Sequence, residues 1–303
     1  MLVEGDASDF RMTVRRRGAM FAAPAAALQP YVSGYHVYAA GGCAEAPATD
    51  WFFPGWANVR FAVNAGPWQV RFGDGEAYEV PACSLFGPSS KAICSTATGG
   101  VLFGAGLTPL GFASLLRRPA QAVADRVVDL HSDWPDAALL HQKLERAESL
   151  EAVKAALDDA LAQRFRKLRP GAEESILALH RLLVNDHGTS IDETAQRLGL
   201  SLRSLNRLST GAFGFSPKLL LRRSRFLKSL MAALRAPERA LGDVIDDGYF
   251  DQSHFVRDAR DFLGMPPQRF LKQVTPLMRQ SMAVRTSVLG GPVQALHLAG
   301  APG

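Results

Sequence analysis

Arg203, Asn206 and Arg207 are the side chains in this 303-residue chain whose types and spacing best fit recognition chemistry. Residues three and four apart share a helical face, so a helix here turns all three the same way. An arginine fork pairs bidentately with guanine and an asparagine amide with adenine, and each good pair discriminates by roughly 1–3 kcal/mol. The hydroxyls of Ser201 and Ser204 stand in the same turn. This is the chemistry of reading base edges in a DNA groove.

Two short helices must position these groups. Ser190 and Glu193 have the spacing of a capping box, and Ile191, Ala195 and Leu198 follow on one face. Gly199 stops that helix. Ser201 can cap a second, whose Leu202, Leu205 and Leu208 turn inward. Such a pair describes a helix-turn-helix; a plain two-helix hairpin fits the same segment. Ser216-Pro217 then opens a helix that runs to Arg235 and stops before Pro237. Its nineteen residues predict a rod of about 28 Å, near one turn of DNA. Lys218 and the cluster Arg222, Arg223 and Arg225 suit phosphate contacts or a solvated face.

The pattern then repeats. Leu241, Val244 and Ile245 form a short apolar face that Gly248 stops, and a helix from Asp251 reaches Phe262-Leu263-Gly264. A shift of fifty residues lays Leu205 on Phe255, Arg207 on Arg257, Gly214 on Gly264 and Pro217 on Pro267. Two copies of one hairpin across a rod of matching length point to a bipartite DNA reader.

Charge agrees. The net charge is +5, and residues 170–280 hold sixteen Lys/Arg against twelve Asp/Glu, so most of the excess lies with the repeat. Three cysteines, Cys43, Cys83 and Cys94, form no CxxC pair and predict neither a disulfide framework nor a zinc cluster. No apolar run reaches about 18 residues, so no membrane span is expected. Arg15-Arg16-Arg17 before an Ala-rich stretch has the outline of an export signal, but Pro24 breaks it, and residues 1–27 read instead as a flexible arm in a cytoplasmic protein.

Residues Tyr31 to Leu107 read as strands. Val59, Phe61 and Val63 alternate with Arg60, Ala62 and Asn64; Trp68, Val70 and Phe72 repeat the alternation, and Asp74-Gly75 marks a hairpin turn before Glu76–Val80. Short strands with Gly/Pro turns suggest a small barrel or a sandwich. A metal-dependent barrel enzyme needs several histidines converging inside, and residues 30–110 contain only His36. G-x-S-x-G is also missing. No enzymatic activity, metal or cofactor is predicted. Trp56, Phe61, Trp68, Phe72, Tyr78 and Phe103 fit either a packed core or a ligand pocket. Helices follow from Pro109. The stripe Val153, Leu157, Leu161 and Phe165 suits a dimer surface or packing on the strands, and 166–171 breaks the pattern as a domain boundary.

Residues 172–275 resemble the AraC/XylS transcription regulators. The resemblance rests on Ala195–Ser201, Leu205-Asn206-Arg207-Leu208, Gly214-Phe215-Ser216-Pro217, Gly248–Phe255 and Gly264-Met265-Pro266-Pro267. It implies an α+β chain: a small cupin-like β-barrel with packed helices over 28–168, which senses a small effector or dimerises, and an all-α domain with two helix-turn-helix units joined by a long linker helix. The likeness of the barrel rests on Leu107–Leu116 and Asp125–Leu130. Implied partners are double-stranded promoter DNA, a small-molecule effector, RNA polymerase and a second copy of the chain. Implied base-facing residues in the second unit are Gln252, Ser253, His254 and Val256, with Arg257 nearby or else paired to Asp258 or Asp261. The chain departs from the family at Ser209 and Ala259, where a large aromatic is usual. Phe213 and Phe262 are placed to refill that core. Val244-Ile245 lies one residue too close to Gly248, and Asp247 occupies an apolar position, so the second unit is expected to be the weaker reader. A catalytic alternative transfers an alkyl group to Cys83 or Cys94; another makes the barrel a ligand-independent dimer module. Residues 281–303 read as a disordered tail.

Overall fold

The computed structural model describes Phe10, Val14 and residues 16–185, 189–239, 241–243, 245, 249 and 252–298. The expectations placed on Val244, Asp247, Gly248 and Asp251 lie outside the described residues.

Strand alternation is realised as two antiparallel sheets. One has the order β1 (Gly18–Ala22), β2 (Val32–Ala39), β9 (Val101–Leu107), β4 (Asn58–Val63), β7 (Cys83–Phe86) and β10 (Val127–Asp129). The other has the order β3 (Ala48–Phe52), β8 (Ile93–Ala97), β5 (Trp68–Phe72) and β6 (Ala77–Glu79). The expected closed barrel is not formed; the described strands make two open sheets. Period-2 patterning is common to both architectures, so it could not separate them. The Asp74-Gly75 turn joins β5 to β6 as expected, with the Gly75 amide on the Phe72 carbonyl at 3.0 Å.

Each face of the six-stranded sheet is covered. Val59, Phe61, Val63 and Phe103 pack under helices α2 (Ala137–Glu145) and α3 (Leu150–Ala162), after α1 (Pro109–Leu115) has left the sheet. The α3 stripe Val153, Leu157 and Leu161 is fully buried there, so it is not an open dimer surface. The other face meets the second sheet through Phe86 and Leu102 against Trp68, Val70, Phe72 and Ile93.

Two further expectations are corrected. Residues 18–22, placed in a flexible arm, form β1 because they pair with β2 from Gly18–Ala39 to Ala22–Tyr35. Much of the supposed disordered tail is helix α10 (Pro276–Leu289), followed by a 3-10 turn at Gln294–Leu296. Leu277, Met278, Ser281, Arg285 and Leu289 form its buried stripe, and Thr275 and Gly290 cap its ends.

Candidate nucleic-acid interface

The C-terminal helices are α4 (Ala172–Asn185), α5 (Ile191–Arg197), α6 (Leu202–Phe213), α7 (Pro217–Arg235), α8 (Gln252–Leu263) and α9 (Pro267–Gln273). Local chemistry sets their ends. Ser190 and Glu193 close the capping box, with Ser190 Oγ accepting from the Glu193 amide at 3.2 Å and Glu193 accepting from the Ser190 amide at 2.8 Å. Gly199, at φ +62°, makes the turn, and Ser201 caps α6 through the Ser204 amide. Ser216 caps α7, with Pro217 at its first position. The nineteen residues of α7 make the expected rod of about 28 Å.

The fifty-residue repeat is structural in the second helix of each unit, while the described residues before the second copy hold a 3-10 turn at Leu241–Asp243. Helices α6 and α8 are each twelve residues long and start at positions 202 and 252. Each ends on a left-handed glycine, Gly214 at φ +88° and Gly264 at φ +73°. Leu205 and Phe255 are both fully buried, and Pro217 and Pro267 each open the next helix. Ser209 and Ala259 are buried but small. Phe213 and Phe262 do fill the core beside them, Phe262 lying 5.2 Å from Phe226. Ser209 adds a hydrogen bond to the Phe215 carbonyl at 2.6 Å.

The recognition residues of the first unit come together on one exposed face. Ser201, Arg203, Asn206 and Arg207 are exposed and Ser204 is half-buried, while Leu205 and Ser209 line the opposite side. Arg203 and Arg207 have no carboxylate partner among the described residues. The Ser201 and Ser204 hydroxyls are 3.0 Å apart and engaged in the cap. Lys218 stands exposed on the first turn of α7. In the second unit Gln252, Ser253 and Arg257 are exposed, whereas Val256 is half-buried and His254 packs edge-on against Tyr249 at 5.1 Å.

The arginine cluster of α7 does not form a phosphate-facing patch. Arg222 holds Asp258 at 2.7 Å and also pairs with Asp261, so Arg257 is not the partner of either carboxylate. Asp258, buried, also accepts from the Tyr249 hydroxyl at 2.8 Å, and Arg225 lies over the Tyr249 ring. Arg223 points into the N-terminal half, donating to the carbonyls of Ser89 at 2.6 Å and Gly55 at 3.3 Å, with its guanidinium 4.2 Å from the Trp56 ring. Burial pushes it down to about 9.

Arg223 is the centre of a joint between the halves. Trp56 also meets Phe213 and His180, Trp51 and Phe53 meet Phe270, and the Ala92 amide donates to the Phe262 carbonyl at 2.6 Å. His180 is the packing residue expected, held neutral by burial and pushed down to about 3. Both helix-ending glycines touch the N-terminal half: a Cβ on Gly214 would lie 2.6 Å from Pro88, and one on Gly264 about 3.0 Å from Gly73.

The predicted aromatic pocket is mostly core. Phe61 and Phe103 pack under the helices, Trp68 and Phe72 lie between the sheets, and Tyr78 is exposed. Of the six, Trp56 alone lines a cavity of about 100 Å³ between the sheets and α10. Sequence reasoning missed the polar residues of that cavity: Arg60, Tyr38, Arg285 and Gln294. Arg60 stands on the polar side of an alternating strand. In a sandwich that side faces the second sheet.

A capped helix pair and a second helix that ends on the same left-handed glycine, bridged by a rod of about 28 Å, have the architecture of helix-turn-helix DNA binding. Residues 194–273 match a family described as "Helix-turn-helix domain". Over these residues the chain carries a helix-turn-helix DNA-binding domain of the AraC type. No curated protein matches it in sequence. Among solved structures it is similar to ToxT from Vibrio cholerae at 13% identity, covering 80% of this chain and 98% of that one, with a TM-score of 0.45. It is similar to unsaturated fatty acid bound ToxT at 11% identity, covering 86% and 95%, with a TM-score of 0.43. The AraC-like transcriptional activator CuxR is 12% identical over 73% of this chain and 89% of that one, with a TM-score of 0.25. No described helix is long and apolar enough to cross a membrane.

Proposed function

We propose that the chain binds promoter DNA sequence-specifically through Arg203, Asn206 and Arg207, and that its N-terminal sheets sense a small effector. The carrying observation is the α6 face: two arginines and an asparagine stand exposed on a helix whose other side is buried, and the arginines have no carboxylate partner among the described residues. Lys218 adds a phosphate contact and positions the protein without reading sequence. Gln252, Ser253 and Arg257 extend the contact to a second groove. RNA polymerase and a second copy of the chain are the further partners on this reading.

The cavity beneath α10 supports sensing over a purely dimerising domain. A non-enzymatic role is supported by the thiols. Alkyl transfer needs a thiolate, but burial pushes Cys83 up to about 11 and raises Cys94 as well. Selection of genomic fragments by the purified chain, at fixed salt and with or without candidate metabolites, tests the proposal. A discrete enriched sequence that the Arg203→Ala, Arg207→Ala double variant no longer selects is the expected result. Enrichment unchanged by that variant would overturn the assignment of α6 as the base reader.

A further inference from the structure

The cavity between the sheets and α10 is lined by basic side chains with no acid among its described lining residues. Arg60, in the middle of β4, and Arg285, on α10, both line it, and each is less than a tenth exposed. His36 of β2 lies with them and is held neutral, first by its burial and then by these two charges. Arg60 Nε and His36 Nε2 are buried without a hydrogen-bond partner. One guanidinium nitrogen of Arg285 is spent on the Gly291 carbonyl. Arg60 rests on aromatic rings, 4.1 Å from Phe86 and 5.7 Å from Phe52. The Tyr38 hydroxyl is 3.0 Å from that of Ser281. Asp50, the buried acid of β3, is already taken by Arg17 and Thr275, each at 2.5 Å.

Two guanidinium groups keep their protons even when buried, and buried charges are normally paired because desolvation is costly. Here neither has a carboxylate partner among the described residues. An anion is therefore the missing partner. Its size follows from the cavity: at about 100 Å³ it is smaller than the roughly 150 Å³ cavity that accepts benzene. Its shape follows from the walls, where Phe52, Met278, Met282 and Leu289 offer an apolar surface beside the cations. A carboxylate matches the guanidinium fork. A phosphate would bring further charge and oxygens that this apolar wall leaves unsatisfied.

We infer that the cavity binds a short-chain organic monocarboxylate, its carboxylate bridging Arg60 and Arg285 and its tail lying on the apolar wall. Such a ligand ties β4 to α10. Because α10 follows α9 by only two residues, occupancy also ties the sheets to the DNA-binding helices. The inference rests on the sensing role proposed above, and it gives that role a ligand class and a path to DNA.

Isothermal titration of the full chain with butyrate and with butyramide, its neutral isostere, is the test. One butyrate per chain is expected, with butyramide and inorganic phosphate each at least about tenfold weaker. Arg60→Met and Arg285→Met should each weaken butyrate at least about tenfold in chains that keep the wild-type circular dichroism. Equal binding of butyrate and butyramide, tighter binding of phosphate, or no butyrate binding at about 10 mM would overturn the inference. Should a variant fail to fold, the butyrate–butyramide comparison on the unchanged chain decides. DNA affinity measured with and without butyrate separates the two readings. Binding of butyrate that leaves DNA affinity unchanged keeps the carboxylate site and overturns its effector role. Sequence-specific DNA binding without butyrate binding overturns the carboxylate site and leaves the DNA-binding reading standing.

Discussion

Arginine does three different jobs in this chain, and surroundings rather than sequence assign them. Arg203 and Arg207 are exposed on α6 with no carboxylate partner among the described residues, as a base-reading side chain must be before DNA arrives. Substituting either by Ala should weaken binding to a selected site by about 1–3 kcal/mol. Stability should stay within about 0.5 kcal/mol, because surface positions rarely matter more; fluorescence anisotropy and thermal melting measure the two effects. Lys218→Ala should weaken binding to all sequences alike and lower the salt slope by about one. Arg223 does the opposite job. Its Ala variant should leave base specificity intact yet cost about 1.5–3 kcal/mol in urea unfolding, through lost hydrogen bonds to the Ser89 and Gly55 carbonyls. Sequence placed Arg222, Arg223 and Arg225 in one basic patch. Arg222 and Arg225, three apart, share a face and meet Asp258 and its partner Tyr249, whereas Arg223, turned about 100° from Arg222, enters the joint.

Elements were legible where their signals are local. The capping box at Ser190, the caps at Ser201 and Ser216 and the stop at Gly199 are chemistry of a few adjacent residues, and all appear as read. The fifty-residue echo was legible for the same reason. Long-range pairing was not. Alternation describes a strand in a barrel and in a sandwich equally, and only partner order separates them. Helix α10 escaped notice because its buried stripe includes Ser281 and Arg285, polar residues that make sense only against β1, Tyr38 and the cavity. Within the second unit, Asp258 binds α8 to α7 through Arg222 and to Tyr249. Removing one partner of a buried ion pair typically costs 3–5 kcal/mol. Asp258→Ala should therefore destabilise the chain by about that much, and preferentially expose amides of 252–263 to hydrogen exchange. Uniform exchange across both units would contradict that local role.

At the scale of the whole molecule, the two DNA-binding units are docked on the sheets at equivalent points, Gly214 on Pro88 and Gly264 on Gly73. The joint also holds a neutral histidine. His180 is pushed down to about 3, whereas an unfolded histidine titrates near 6.5. Between those values the unfolded chain takes up a proton that the folded chain refuses, so stability falls as pH drops from about 6.5 towards 3, by up to about 1.4 kcal/mol per unit. His297, pushed down to about 4, acts in the same direction. Urea unfolding at a series of pH values should show this slope, reduced by His180→Phe; an unaltered slope would remove His180 from the account. The central claim, that two helix-turn-helix units read DNA together with the first leading, is tested most directly by hydroxyl-radical footprinting on a selected promoter fragment. It predicts two protected segments about one helical turn apart on one DNA face, with the Arg203→Ala, Arg207→Ala variant losing the register of both. A single protected segment, or a footprint that this variant leaves in place, would contradict it.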